Sequence, residues 1–109
     1  MIEVNKENWD NILSSKEDTL VEVYSPTCVP CKLVSRELKE LEKDTTVKVY
    51  KITAVTLQEL DSELFSKLSG IPTLLFIKDG NMNILPKVYS RKQIEEQLQK
   101  YVGGAQENA

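Results

Sequence analysis

Thr19-Leu20-Val21-Glu22-Val23-Tyr24-Ser25-Pro26-Thr27-Cys28-Val29-Pro30-Cys31-Lys32-Leu33-Val34 decides how the rest of this chain is read. The first six residues are rich in strand formers and predict a strand over Thr19–Tyr24, which Ser25-Pro26-Thr27 breaks. From about Pro30 to Lys43, Val34, Leu38 and Leu41 fall on one helical face with Leu33 beside them, and charges cover the remainder. Two cysteines therefore stand where a strand hands over to a helix. A thiol at a helix N-terminus meets unpaired backbone N–H groups and the positive end of the helix dipole, both of which favour thiolate over thiol. Only the thiolate attacks a disulfide, and a second sulfur two residues further on lies close enough to displace the resulting mixed disulfide. Pro30 suits a first helical turn, where its missing N–H costs little. Cys28, the outer residue, is assigned as nucleophile and Cys31, one turn inside, as resolving thiol.

Two plainer readings compete. Half a zinc site is one, but a closed site needs about four ligands, and these are the chain's two cysteines, with no histidine anywhere. A dimer or nearby carboxylates would have to complete it, and no metal is expected. The other makes both cysteines apolar core fillers, which leaves their placement around Val29-Pro30 at a strand-to-helix junction a coincidence. The absence of histidine also removes a His general base and a Cys–His dyad.

Outward from this junction, Ile2–Val4 reads as a short strand, with Asn5 as N-cap before Trp9, Ile12 and Leu13 at helical spacing. Val47–Ile52 predicts another strand. Thr56-Leu57-Gln58-Glu59 has the form of a capping box, followed by Leu57, Leu60, Leu64 and Leu68, with a rival start at Asp61 or Ser62. Thr73–Lys78, apolar on both faces, predicts a strand covered on both sides. Asp79-Gly80 is a hairpin signal, and a partner strand is placed within Met82–Tyr89. Ser90-Arg91-Lys92-Gln93 opens a last helix through Ile94, Leu98, Tyr101 and Val102, ended by Gly103-Gly104. The order βαβαβαββα implies an α/β fold, a mixed sheet with helices on both faces. One domain over 1–104 is expected, with 105–109 as a frayed tail.

The chain has 109 residues, with 14 basic and 17 acidic ones giving a net charge of −3, and 40% hydrophobic residues. That balance gives no electrostatic reason to expect nucleic acid or an anionic membrane as partner. No run approaches the roughly 18 apolar residues of a membrane-spanning helix. Met1-Ile2-Glu3-Val4-Asn5 has neither the basic nor the apolar segment of a signal peptide, so a cytoplasmic setting is expected.

With Cys28-Val29-Pro30-Cys31-Lys32, Gly70-Ile71-Pro72-Thr73-Leu74-Leu75-Phe76 and Lys78-Asp79-Gly80 in view, the chain resembles the thioredoxin family over roughly residues 2–102. The resemblance implies a thioredoxin fold, a central mixed sheet of five strands flanked by four helices. It implies a cis bond before Pro72, with Pro72 beside the cysteines and the Ile71 backbone pairing with a substrate chain in β-like fashion. Without the resemblance, Pro72 reads as the start of a strand. Glu22, six positions before Cys28, stands where the family places a buried Asp that exchanges protons with the inner cysteine. Its shared strand face with Leu20 and Tyr24 supports burial, and burial raises a carboxyl's pKa. Lys51 matches the lysine that pairs with that acid. The plain alternatives are an exposed strand glutamate and a solvent-facing lysine.

Departures from the family pattern are equally legible. Thr27 replaces the usual Trp before the first cysteine and Val29 the usual Gly after it. This changes the rim that, with Pro30, Ile71 and Pro72, would touch substrate. Arg36 replaces a helix-kinking proline, which predicts a straighter helix. The segment before Gly70 is about two residues short, and Val88-Tyr89 stands where a glycine is usual.

The leading expectation is a reductase of protein disulfides cycling through a Cys28–Cys31 disulfide, with no cofactor beyond that pair. The chain lacks a Gly-rich dinucleotide fingerprint, so a separate reductase must supply electrons to what is expected to be a monomer. A disulfide oxidase or isomerase is the first rival, disfavoured because oxidative folding belongs to oxidising compartments. A non-catalytic adaptor that binds through the Ile71–Pro72 groove is the second.

Overall fold

In the computed structural model, which describes residues 1–101, a five-stranded mixed sheet runs through the centre. Its elements are β1 (Ile2–Glu3), α1 (Trp9–Ser14), β2 (Thr19–Tyr24), α2 (Val29–Lys43), β3 (Lys48–Thr53), α3 (Ala54–Leu60), α4 (Ser62–Ser66), β4 (Thr73–Lys78), β5 (Asn81–Ile84) and α5 (Arg91–Tyr101). The strand order is β1-β3-β2-β4-β5. β3 pairs parallel with β1 and β2, whereas β4 runs antiparallel to β2 and β5. β2, in the middle, leads directly to the cysteines.

Alternation along the strands feeds a separate core on each face. Leu20, Leu74 and Phe76 pack with Val34, Leu38 and Leu41 of α2 and Ile94 and Leu98 of α5. Val21, Val23, Leu75 and Ile77 pack on the other side with Trp9 and Ile12 of α1, Leu57 of α3 and Leu64 of α4. β4 is buried along nearly its whole length, as its unbroken apolar run requires.

The described residues hold five helices rather than the expected four. The leucine run from Leu57 to Leu68 is divided: Thr53 Oγ1 caps α3 by accepting from Thr56 N at 3.1 Å, and Asp61 Oδ1 caps α4 by accepting from Leu64 N at 3.0 Å. The helix thus starts three residues before the expected box at Thr56, and the rival start at Asp61 is also used. Asn5 accepts from the amides of Glu7 and Asn8 in a turn that precedes α1, which begins at Trp9.

At the Asp79-Gly80 turn both residues have positive φ, 52° and 79°, the twist a two-residue hairpin needs. β5 then occupies Asn81–Ile84, starting one residue before the expected span and ending five residues short of its far end. Leu85 N still bonds Leu74 O at 2.9 Å, but Pro86 has no N–H to continue the ladder. The last helix opens as expected: Gln93 N donates to Ser90 Oγ at 3.2 Å and Ser90 N to Gln93 Oε1 at 3.3 Å. Val102, Gly103-Gly104 and the tail lie outside the described residues. α2 runs unbroken past Arg36.

Candidate active site

Cys28 and Cys31 are joined in a disulfide. Cys28 is the N-cap of α2, and its Sγ accepts a hydrogen bond from Cys31 N at 3.2 Å. Cys28 is partly exposed, whereas Cys31 is only 1% exposed. This asymmetry follows from the junction. The N-cap lies at the surface, and one turn later the helix has entered the core beside Val34. Thr27, Val29 and Pro30 form an exposed rim around the outer sulfur, and Val29 is 67% exposed.

Glu22 is completely buried in β2, on the face that α2 covers. Ser35 Oγ, one turn beyond Cys31, donates to its Oε1 at 2.5 Å. Oε2 has no partner among the described residues. Burial pushes the carboxyl from 4.5 up to about 7, against the opposing pull of the Ser35 hydrogen bond and the Lys51 charge. A carboxyl near 7 with one free oxygen is suited to take up and release a proton near neutral pH.

Lys51 lies directly across from Glu22 in the β2–β3 register. Its ammonium turns instead to Glu3, 3.9 Å away, and sits 5.5 Å from the centre of the Tyr24 ring. It therefore acts on Glu22 by its field rather than through a bond. Tyr24 donates to the same Glu3 carboxylate at 2.8 Å, and burial together with that bond pushes its hydroxyl up to about 12. A cleft of about 390 Å³ opens here, bordered by Cys31, Ser35, Lys51, Lys32, Arg36 and Lys39 among others. It reaches the wall behind which the buried Cys31 lies.

The Ile71–Pro72 bond is cis. Gly70 before it has a φ of 101°, a region that side chains disfavour. Pro72 is buried at the head of β4, and Ile71 is half exposed beside an apolar hollow of about 250 Å³ lined by Ala54, Phe65, Leu68 and Gly70. Thr73 Oγ1 donates to Gly70 O at 2.5 Å, which closes the loop on itself.

The Thioredoxin family model matches residues 1–103. The chain belongs to the thioredoxin family. It is 28% identical over 107 residues to a chloroplastic M-type thioredoxin of Pisum sativum, covering 91% of this chain and 59% of that protein. It is 28% identical over 101 residues to thioredoxin-T of Drosophila melanogaster, covering 91% and 64%. Over 82 residues it is 33% identical to protein disulfide-isomerase A4 of Rattus norvegicus, covering 71% of this chain and 12% of that one. It thus spans less than two thirds of the length of each of these relatives. Among solved structures, a mutant thioredoxin from Halobacterium salinarum superposes with a TM-score of 0.77 at 22% identity, covering 92% of this chain and 88% of that one. That likeness bears on the fold alone.

Within this thioredoxin-family chain, the residues singled out by sequence fall into three places. Cys28 caps α2 and Cys31 lies in its first turn, while Glu22 lies under the next turn, bonded to Ser35. Thr27, Val29 and Pro30 surround the outer sulfur, and Ile71 and Pro72 form the loop at the head of β4. Lys51 stands at the side. Ser35 is the further participant that the sequence does not mark. Ser35 lies thirteen residues from Glu22 and borders an apolar helical stripe, where a hydroxyl carries no local signal.

Proposed function

We propose that this thioredoxin-family chain is a thiol–disulfide oxidoreductase that reduces disulfides in proteins. The observation that carries the reading is the pairing of a partly exposed sulfur and a buried one at the N-terminus of α2, with a buried carboxyl under the same helix. In the reduced form the Cys28 thiolate attacks one sulfur of a substrate disulfide and expels the other as a thiolate. Glu22 takes the proton of Cys31. The Cys31 thiolate then attacks Cys28 Sγ in the mixed disulfide and expels the second substrate sulfur, which leaves the Cys28–Cys31 disulfide. Two electrons pass from the dithiol to the substrate. The Ile71 backbone offers the substrate chain a strand-like edge. An external reductase restores the dithiol, and the chain works as a monomer in a reducing compartment, the cytosol in our reading.

The likeness to a protein disulfide-isomerase gives the opposite direction of transfer a footing. Equilibration in thiol buffers, read by alkylation mass shift, separates the two. A midpoint near about −270 mV is expected for the reductant, whereas one from about −180 to −120 mV assigns oxidase or isomerase chemistry. A pair that never closes its disulfide removes both and leaves the adaptor.

A further inference from the structure

Lys87 stands between two buried residues of the post-β5 segment, Leu85 and Val88, with its own stem at the surface. Its ammonium has three N–H donors. They go to Gly70 O at 2.8 Å, Pro72 O at 2.6 Å and Thr73 Oγ1 at 2.9 Å. All three acceptors belong to the Gly70–Thr73 stretch that leads into β4, and they lie on both sides of Ile71. Partial burial holds this lysine below its ordinary pKa. No carboxylate pairs with it among the described residues, so the charge is spent on the loop alone.

The orientation of the loop follows. The Gly70–Ile71 peptide is trans, so its carbonyl and the Ile71 N–H point in opposite directions. Fixing Gly70 O on Lys87 turns the Ile71 N–H the other way. Among the described residues, neither that N–H nor the Ile71 carbonyl has an intramolecular partner. An unpaired donor and acceptor on one residue, held by a bond on the far side, form a docking edge for another backbone. Thr73 assists, since its hydroxyl accepts from Lys87 and donates to Gly70 O.

We infer that Lys87 is a positioning residue for substrate recognition, an ammonium strap that presents the Ile71 backbone to the polypeptide flanking a substrate disulfide. The inference rests on the proposed oxidoreductase reading. It predicts a dependence on substrate class. A disulfide within a peptide chain uses the Ile71 edge, and a small disulfide with no peptide backbone does not. Arginine does not replace the lysine, because a planar fork cannot converge on three acceptors around one nitrogen.

The test compares wild type with Lys87→Met, Lys87→Arg and Thr73→Val in two assays. One follows dithiothreitol-driven reduction of insulin, the other the stoichiometric reaction of the pre-reduced, dithiothreitol-free protein with dithiobis-nitrobenzoate. For Lys87→Met, KM for insulin is expected to rise about tenfold with kcat, the midpoint potential and the aryl disulfide rate nearly unchanged. Lys87→Arg is expected to give no rescue, and Thr73→Val a smaller rise in the same parameter. Equal slowing on both substrates, or no change in KM, overturns the role given to Lys87. Should Lys87→Met not fold, an unchanged insulin KM in Lys87→Arg and Thr73→Val does so instead. A wild-type protein inert towards both disulfides overturns the redox reading itself.

Discussion

Glu22 is a carboxyl set among hydrocarbon neighbours, and its titration works against the fold. Its pKa rises from 4.5 to about 7 mainly through burial, so the folded chain keeps a proton that the unfolded chain has released. The unfolded state binds fewer protons between those two values, and stability falls as pH rises through that window and levels off above it. Glu22→Gln removes the ionisation. It is expected to raise stability at about pH 8 by about 3 kcal/mol and to change little at about pH 4, as urea unfolding at both pH values will show. Ser35→Ala removes a bond that lowers this pKa. The carboxyl should then titrate above 7, by NMR of its carboxyl carbon. The burial of Glu22 was legible in the sequence, because Leu20 shares its strand face. Ser35 was not, since only the seating of α2 on the sheet brings its hydroxyl to Oε1.

Between β3 and β4 the element boundaries turn on single side chains. Asp61 closes α3 and caps α4 within one residue, so two short helices take the place of one. Asp61→Ala should cost about 1 kcal/mol, read as a lower urea midpoint with an unchanged slope. The leucine periodicity of this region was visible in the sequence, yet it does not register a break, because Leu57 and Leu64 reach the same core from either helix. The reverse holds for the last helix, whose reciprocal cap between Ser90 and Gln93 is written in four consecutive residues. β5 was overextended for another reason. Leu85 and Val88 are buried like strand residues, but they reach the core from a segment that Pro86 has already released from the ladder.

Across the whole molecule, one sheet is the floor of two cores, and the order of strands and helices in the sequence was enough to foresee that arrangement. Leu38 lies on the α2 side and Leu57 on the α3 side, both fully buried. Leu38→Ala and Leu57→Ala should each cost about 3 kcal/mol. Because both cores share β2 and β4, each variant is expected to lower one common transition. Fluorescence of Trp9, the chain's single tryptophan, and far-ultraviolet circular dichroism should then give coincident curves. Separate transitions would mean that the faces melt independently. The registers also set the two ends of the sheet apart. Val23 pairs with Thr73 at the end of β2 that leads to Cys28, and Thr19 pairs with Ile77 close to the hairpin tip. The six residues of β4 put about 20 Å between the Ile71–Pro72 loop and Asp79-Gly80. The molecule therefore has a working end and a blank one, and a tether or dye grafted at the hairpin tip would serve as a handle that leaves the exchange chemistry facing solution.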